Sequence, residues 1–270
     1  MRWSVFKDTM RWSIRMTLIW GIGLGAMMVI TVQTVPGMQG LELVQLFETM
    51  PPAMLAAFGV GKDTAALATP EGLIAFGLFG KMALIFAAYP VVIGLRVSTH
   101  EEAEGILDIQ LSQPMPRAQF LLERFLAYAL NITILILLVV GGLYLGIMTV
   151  NLEQPLDGAK LAVMTLNLIP VMVLVMAATI FVGALISRRQ TVITIMTIFI
   201  ITSYAIQTIG GMVTAQWMNA VKALSFFTYY NVQSMMERGV ILSDVMVLVV
   251  ISAILMGASL YVFERRDIAV

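Results

Sequence analysis

The chain has 270 residues, of which 60% are hydrophobic and only 12% charged, against about 25% charged in an average soluble domain. With its long apolar runs, that composition predicts a protein of the lipid bilayer. Its 16 basic and 16 acidic residues cancel, which predicts no nucleic-acid partner. The absence of cysteine excludes disulfides and thiolate metal sites, and a lone histidine, His100, argues against a multi-histidine metal site.

Residues 1–16 carry Lys7, Arg11 and Arg15 on one helical face and Trp3, Phe6, Met10 and Ile14 on another. That pattern predicts an amphipathic helix at an anionic membrane surface. The apolar run 17–34 is too long for a signal-peptide core and has no small-x-small cleavage site, so it reads as the first span. Gly21 and Gly25 within it are spaced for close helix contact, although glycine is also simply common in membrane helices. Residues 35–71 form a mildly polar outer segment. Gly59-Val-Gly-Lys62 within it is not a phosphate loop. Ala56 stands where the first glycine is needed, and Asp63 follows the lysine where Ser or Thr is needed.

The second span is expected over 72–97, with a kink at Pro90. Lys81 inside it is a functional candidate by its depth, or a residue whose long stem carries its amine to the interface. Further spans are expected over 126–150, which contains Asn131 and the pair Gly142 and Gly146, and over 161–186, which contains Asn167 and Pro170. Two more are expected over 191–213, with Tyr204 and Gln207, and over 245–263. Residues 214–244 form a second outer segment whose aromatics suit a helix at the interface. Each span can cross a core of about 30 Å. Eleven of the 16 Lys and Arg residues fall on the side of the termini and of residues 98–120. The positive-inside rule therefore places both termini in the cytoplasm. The fold class is an all-α membrane protein, a single domain over 1–270 with six transmembrane helices.

Residues 98–120, STHEEAEGILDIQLSQPMPRAQF, form the long polar interval on the cytoplasmic side. Ser98 or Thr99 can cap a helix, with Glu101 or Glu102 three positions on, as in a capping box. Glu101, Glu104 and Asp108 then share one face, and Ala103, Ile106 and Leu107 another, until Pro114 and Pro116 end the helix. A solvated turn on the lipid surface is the plain reading. Anionic headgroups attract basic segments, however, so an acidic face suits a basic pocket on a protein partner better.

Residues Glu102 to Arg117 resemble the cytoplasmic signature of permeases of the type-2 class of ABC exporters. Glu102, Gly105, Leu107, Leu111, Ser112, Pro114 and Arg117 match it. Ile106 stands where threonine is usual, Asp108 where glutamate is usual and Pro116 where serine is usual. Ala56 to Gly59, Ala68 to Gly72 and the ending Phe263 to Asp267 are similar to bacterial members as well.

The resemblance implies a half-size permease with no nucleotide site of its own, in the cell's inner membrane. ATP and Mg²⁺ would sit on a separate ABC ATPase, and a second permease copy, identical or not, would complete the transporter. Residues 98–120 would be the coupling helix. Glu101, Glu102 and Glu104 would pair with basic residues of the ATPase, Leu107 and Leu111 would fill its apolar slot, Pro114 would fix the angle, and Gly105, Asp108 and Arg117 would belong to the same coupling motif. The cargo path would run between two permeases, with Lys81, Asn131, Tyr204 and Gln207 as its polar candidates. A hydrophobic or amphiphilic cargo (a drug, peptide antibiotic or lipid) fits such a lining. A non-transporting scaffold or sensor that recruits a cytoplasmic partner is the alternative. A secondary transporter would require carboxylates at the midplane, and the six runs contain none.

Overall fold

A computed structural model of the chain describes residues 3–38, 49, 69–74, 83–98, 116–150, 156–186, 188–213, 216–230, 232, 234–235 and 239–265. Among these residues every regular element is helical: α1 (Ser4–Met38), α2 (Pro70–Ile74), α3 (Ala83–Ser98), α4 (Arg117–Thr149), α5 (Gly158–Leu166), α6 (Leu168–Leu185), α7 (Arg189–Met212), α8 (Gln216–Lys222), a 3-10 turn (Phe226–Tyr229) and α9 (Leu242–Arg265). Five stretches are long and apolar enough to cross a membrane: Ser4–Gly37, Arg117–Thr149, Gly158–Leu185, Arg189–Gly210 and Leu242–Arg265. The chain is therefore a multi-pass membrane protein whose regular elements, among the described residues, are all helices.

One expectation is changed by the structure, and two fall partly outside the described residues. The boundary expected at residue 16 is not a break, because α1 continues through it as one helix of 35 residues. The expected second span is represented by α2 and by α3, whose 16 residues cover about 24 Å; residues 75–82, Lys81 among them, lie outside the described residues. Of the expected coupling segment, residues 99–115 lie outside them too, which includes Glu101, Glu102, Glu104, Gly105, Leu107, Asp108, Leu111 and Pro114.

Helices α1 and α4 run parallel along their whole lengths. The Phe6 N–H donates to Glu123 near their first turns, Asn131 bonds Ser13 further on, and Gln33 reaches Thr149 at their far ends. Both helices therefore run the same way, and α3, which lies between them in sequence, packs beside α1, its Tyr89 meeting Thr17.

The α1–α4 contact is close because small residues face each other across it. A Cβ on Gly25 would lie 3.0 Å from the Leu138 carbonyl oxygen, and one on Gly142 would collide with the Gly25 backbone. A Cβ on Gly146 would meet Val32, and one on Gly21 would meet the Leu138 side chain. Lipid tails are as apolar as leucine, so helices in a bilayer gain their attraction from this kind of near-backbone approach.

Helix α6 is apolar all round and packs against α3 and α9 at the centre of the molecule. Its union with α5 is broken at Asn167. Pro170, in the first turn of α6, has no N–H to offer the Leu166 carbonyl, and its ring crowds that position. The other end of this unit is tied down by polar bonds. Asp157 caps α5 by accepting from Lys160 N at 3.0 Å, and its own N–H donates to Glu71 of α2 at 2.8 Å.

Candidate functional site

The most buried stripe of the first half of α1 is polar. Thr9, Ser13 and Thr17 recur every four residues and are all buried. Their hydroxyls are satisfied locally: Ser13 Oγ donates to the Thr9 carbonyl at 2.6 Å and Thr17 Oγ1 to the Ser13 carbonyl at 3.1 Å. Such back-bonded hydroxyls give a helix a small, polar face that another helix can approach closely.

Two other helices bond to this face. Asn131 of α4, 0% exposed, donates from Nδ2 to Ser13 Oγ at 2.5 Å. Tyr89 of α3 lies 2.8 Å from Thr17 Oγ1, and because Thr17 donates to Ser13, the Tyr89 hydroxyl is the donor of this pair. A third bond closes the basic end. Glu123 of α4 is only 3% exposed, and its Oε2 accepts from the Phe6 N–H, one of the first-turn donors of α1, at 3.1 Å. Its Oε1 accepts from Gln119 Nε2 at 2.8 Å. A carboxylate at a helix start both satisfies an orphan donor and complements the positive end of the helix dipole. Arg124, also buried, lies 4.9 Å above the Phe120 ring.

The three bonds form a polar seam at three levels of α1. The helices that bond it, α3 and α4, are the two that flank residues 99–115. Arg117, the first residue of α4, is the one member of the expected coupling motif among the described residues, and it is half-buried. One atom of the seam stands apart: Asn131 Oδ1 is buried with no hydrogen-bond partner.

The remaining candidates, Tyr204 and Gln207, sit elsewhere, on α7, where both are partly exposed. The structure does not bring them together with Asn131. Residues 216–230 fold down along α7 instead of lying flat at the surface. Lys222 lays its stem on Gly210, the Thr228 hydroxyl lies 2.9 Å from Gln207 Oε1, and Ser225 Oγ donates to the Ser203 carbonyl at 2.7 Å. Phe226 then stacks on Phe199 at 5.5 Å, and Tyr204 meets Phe227 edge-on at 5.8 Å. Phe199 is about 15 Å along α7 from Arg189, so this segment packs against the middle turns of a membrane-length helix.

Irregular backbone is tolerated at that depth only when it is enclosed by protein and bonded. Both conditions are met. Phe226 and Phe227 are buried, and Ser225 N, Thr228 N and Tyr230 N all have backbone acceptors. The Tyr230 hydroxyl donates to the Met164 carbonyl, and Met235, beyond the segment, accepts from Asn167 Nδ2 at Sδ, so both brace the α5–α6 break. Of the aromatics expected at the interface, Trp217 of α8 is exposed, whereas Phe226, Phe227 and Tyr230 are packed into the core. Beneath the inserted segment, α6, α7 and α9 enclose a cavity of about 360 Å³, walled by apolar residues such as Leu174, Met196, Phe199, Phe226, Leu248 and Leu255.

Sequence reasoning missed Glu123, Ser13, Thr17 and Tyr89. The four-residue spacing of Thr9, Ser13 and Thr17 was the available signal, hidden because the apolar face of the same helix was the one read.

Residues 3–268 match the family model described as ABC-2 family transporter protein. No curated protein matches the chain significantly. The chain belongs to the ABC-2 transporter family, whose members are the membrane permease part of a transporter rather than its catalyst, and which in general work with an ATPase partner.

Proposed function

We infer that this chain is the permease half of an ATP-driven exporter for a hydrophobic or amphiphilic cargo, coupled through residues 98–120 to a separate ATPase that holds the ATP and Mg²⁺. The observation that carries the reading is the seam on α1. Bonds from Glu123, Asn131 and Tyr89 clamp α1 to both helices that flank residues 99–115. A push delivered to that segment by a partner would move α3 and α4, and α1 would have to follow. A lone connecting loop would have no such linkage.

In this reading Glu101, Glu102 and Glu104 pair with basic residues of the ATPase, and Leu107 and Leu111 fill its apolar slot. Gly105, Asp108, Pro114 and Arg117 hold the segment's shape and angle. The parallel course of α1 and α4 supports a sixth crossing between them, and the excess of basic residues at this end supports cytoplasmic termini. Two copies then face each other across the cargo path, with Tyr204 and Gln207 of α7, and Lys81, near it. Asn131 serves the seam rather than the path.

The test is charge reversal, Glu102→Lys with Glu104→Lys. Copurification with the ATPase and cargo-stimulated ATP turnover should both be lost, while the permease alone stays folded. Unchanged binding and turnover would defeat the docking reading. Binding that persists without any ATP-dependent transport in the unaltered complex would favour a scaffold.

A further inference from the structure

We propose that the apolar cavity between α6, α7 and α9 holds one acyl chain of an acidic phospholipid, whose phosphate rests on Arg188 and Arg189. This inference does not depend on transport.

The cavity's volume, about 360 Å³, lies at the lower end of the range for small-molecule sites, roughly 300–1,000 Å³. Its rim residues Leu224, Phe199 and Ile251 are exposed, so its mouth opens on the outside of three membrane-length helices, which in a bilayer meets hydrocarbon. The occupant that surrounds such a mouth is a hydrocarbon chain, since the lining offers no polar wall.

The basic turn between α6 and α7 fixes which lipid. Arg188 and Arg189 are both exposed, and they join α6 to α7, two of the helices that wall the cavity. Val182 of its wall is three residues before the end of α6, about 5 Å, and Ile195 is six residues after Arg189, about 9 Å. The wall continues to Phe199 of α7 and Leu174 of α6, both about 15 Å from the turn. That is half of a core about 30 Å thick, the depth of one leaflet. The inserted residues Phe226 and Tyr229 close the cavity at that level. The result is a slot of one leaflet's depth with two guanidiniums at its polar end. Arginine pairs with phosphate through a bidentate fork, and basic pockets at the ends of membrane helices favour acidic headgroups.

The experiment uses the full chain in nanodiscs made from equal parts of phosphatidylglycerol and phosphatidylcholine, released into native mass spectrometry. The unaltered protein should retain one phosphatidylglycerol per chain. Arg188→Gln with Arg189→Gln should still carry lipid but lose the headgroup preference by roughly 25-fold, near fivefold for each arginine. Ala178→Phe, which fills the slot from its wall, should reduce retained lipid of both kinds. A melting curve in the same detergent identifies a variant that has unfolded; for Ala178→Phe the smaller Ala178→Leu then replaces it. Equal retention of the two lipids by the unaltered protein, or retention insensitive to both changes, would overturn the proposal.

Discussion

Two regions of this molecule solve the same problem in opposite ways. The α1–α4 pair is held by near-backbone contact and a buried polar seam, with Gly25 against Gly142 and Asn131 against Ser13. The α6–α7–α9 sector is held by large apolar side chains around a cavity of about 360 Å³, closed by an inserted segment. In the first, each partner has one place to be. In the second, the cavity leaves room beside the side chains that line it. The contrast teaches where motion can be stored: a welded pair transmits displacement, and a cavity-bearing sector absorbs it.

The largest expected effect comes from forcing the welded pair apart. Gly142→Ala places a methyl group against the Gly25 backbone, which cannot turn aside as a flexible side chain can. We expect a loss of about 3 kcal/mol, at the upper end for overpacking, read as a fall in thermal midpoint in detergent. Gly141→Ala, one residue away and facing open space, should change stability by less than about 0.5 kcal/mol. If the neighbours behave alike, the close crossing is not what holds the pair.

Next comes the carboxylate at the start of α1. Glu123→Ala leaves the Phe6 N–H without its acceptor, and a loss of about 2 kcal/mol is expected. Glu123→Gln keeps one acceptor oxygen and should lose less, by the same melting curve. A smaller effect is expected of Asn131→Leu. It removes a membrane hydrogen bond of about 0.6 kcal/mol on average, but also a buried acceptor that has no partner. The net change should stay within about 1 kcal/mol. If the exporter reading holds, ATP-driven transport should fall more than stability does. The smallest effect belongs to the other region: Ala178→Val adds bulk into the cavity wall and should shift stability by less than about 0.5 kcal/mol in either direction.

The glycine spacing was readable in the sequence, and so were the long apolar runs, because both are local patterns that the bilayer enforces. What pairs with what was not. Gly21 and Gly25 announced a contact, but nothing local said that Gly142 and Gly146 would supply its other side. Glu123 was invisible for the same reason: its partner is a main-chain N–H 117 positions away. The segment 216–230 misled because aromatic residues suit both an interface and a core. Only the bonds of Ser225 and Thr228 to α7 decide between them. The family signature in residues 102–117 was legible as a pattern, and the match over residues 3–268 agrees with it.

The most direct test of the contrast is a pair of distances. The chain has no cysteine of its own, so spin labels can be placed at will on exposed positions. One pair, at Ile22 of α1 and Leu137 of α4, reports the welded helices; the other, at Ile198 of α7 and Ile254 of α9, reports the cavity sector. Pulsed electron-spin distances are then measured in the complex with the ATPase, with and without a non-hydrolysable ATP analogue. The account predicts that the 22–137 distance keeps its value and width while the 198–254 distance shifts or broadens. A 22–137 distance that moves with nucleotide while 198–254 stays fixed would contradict it.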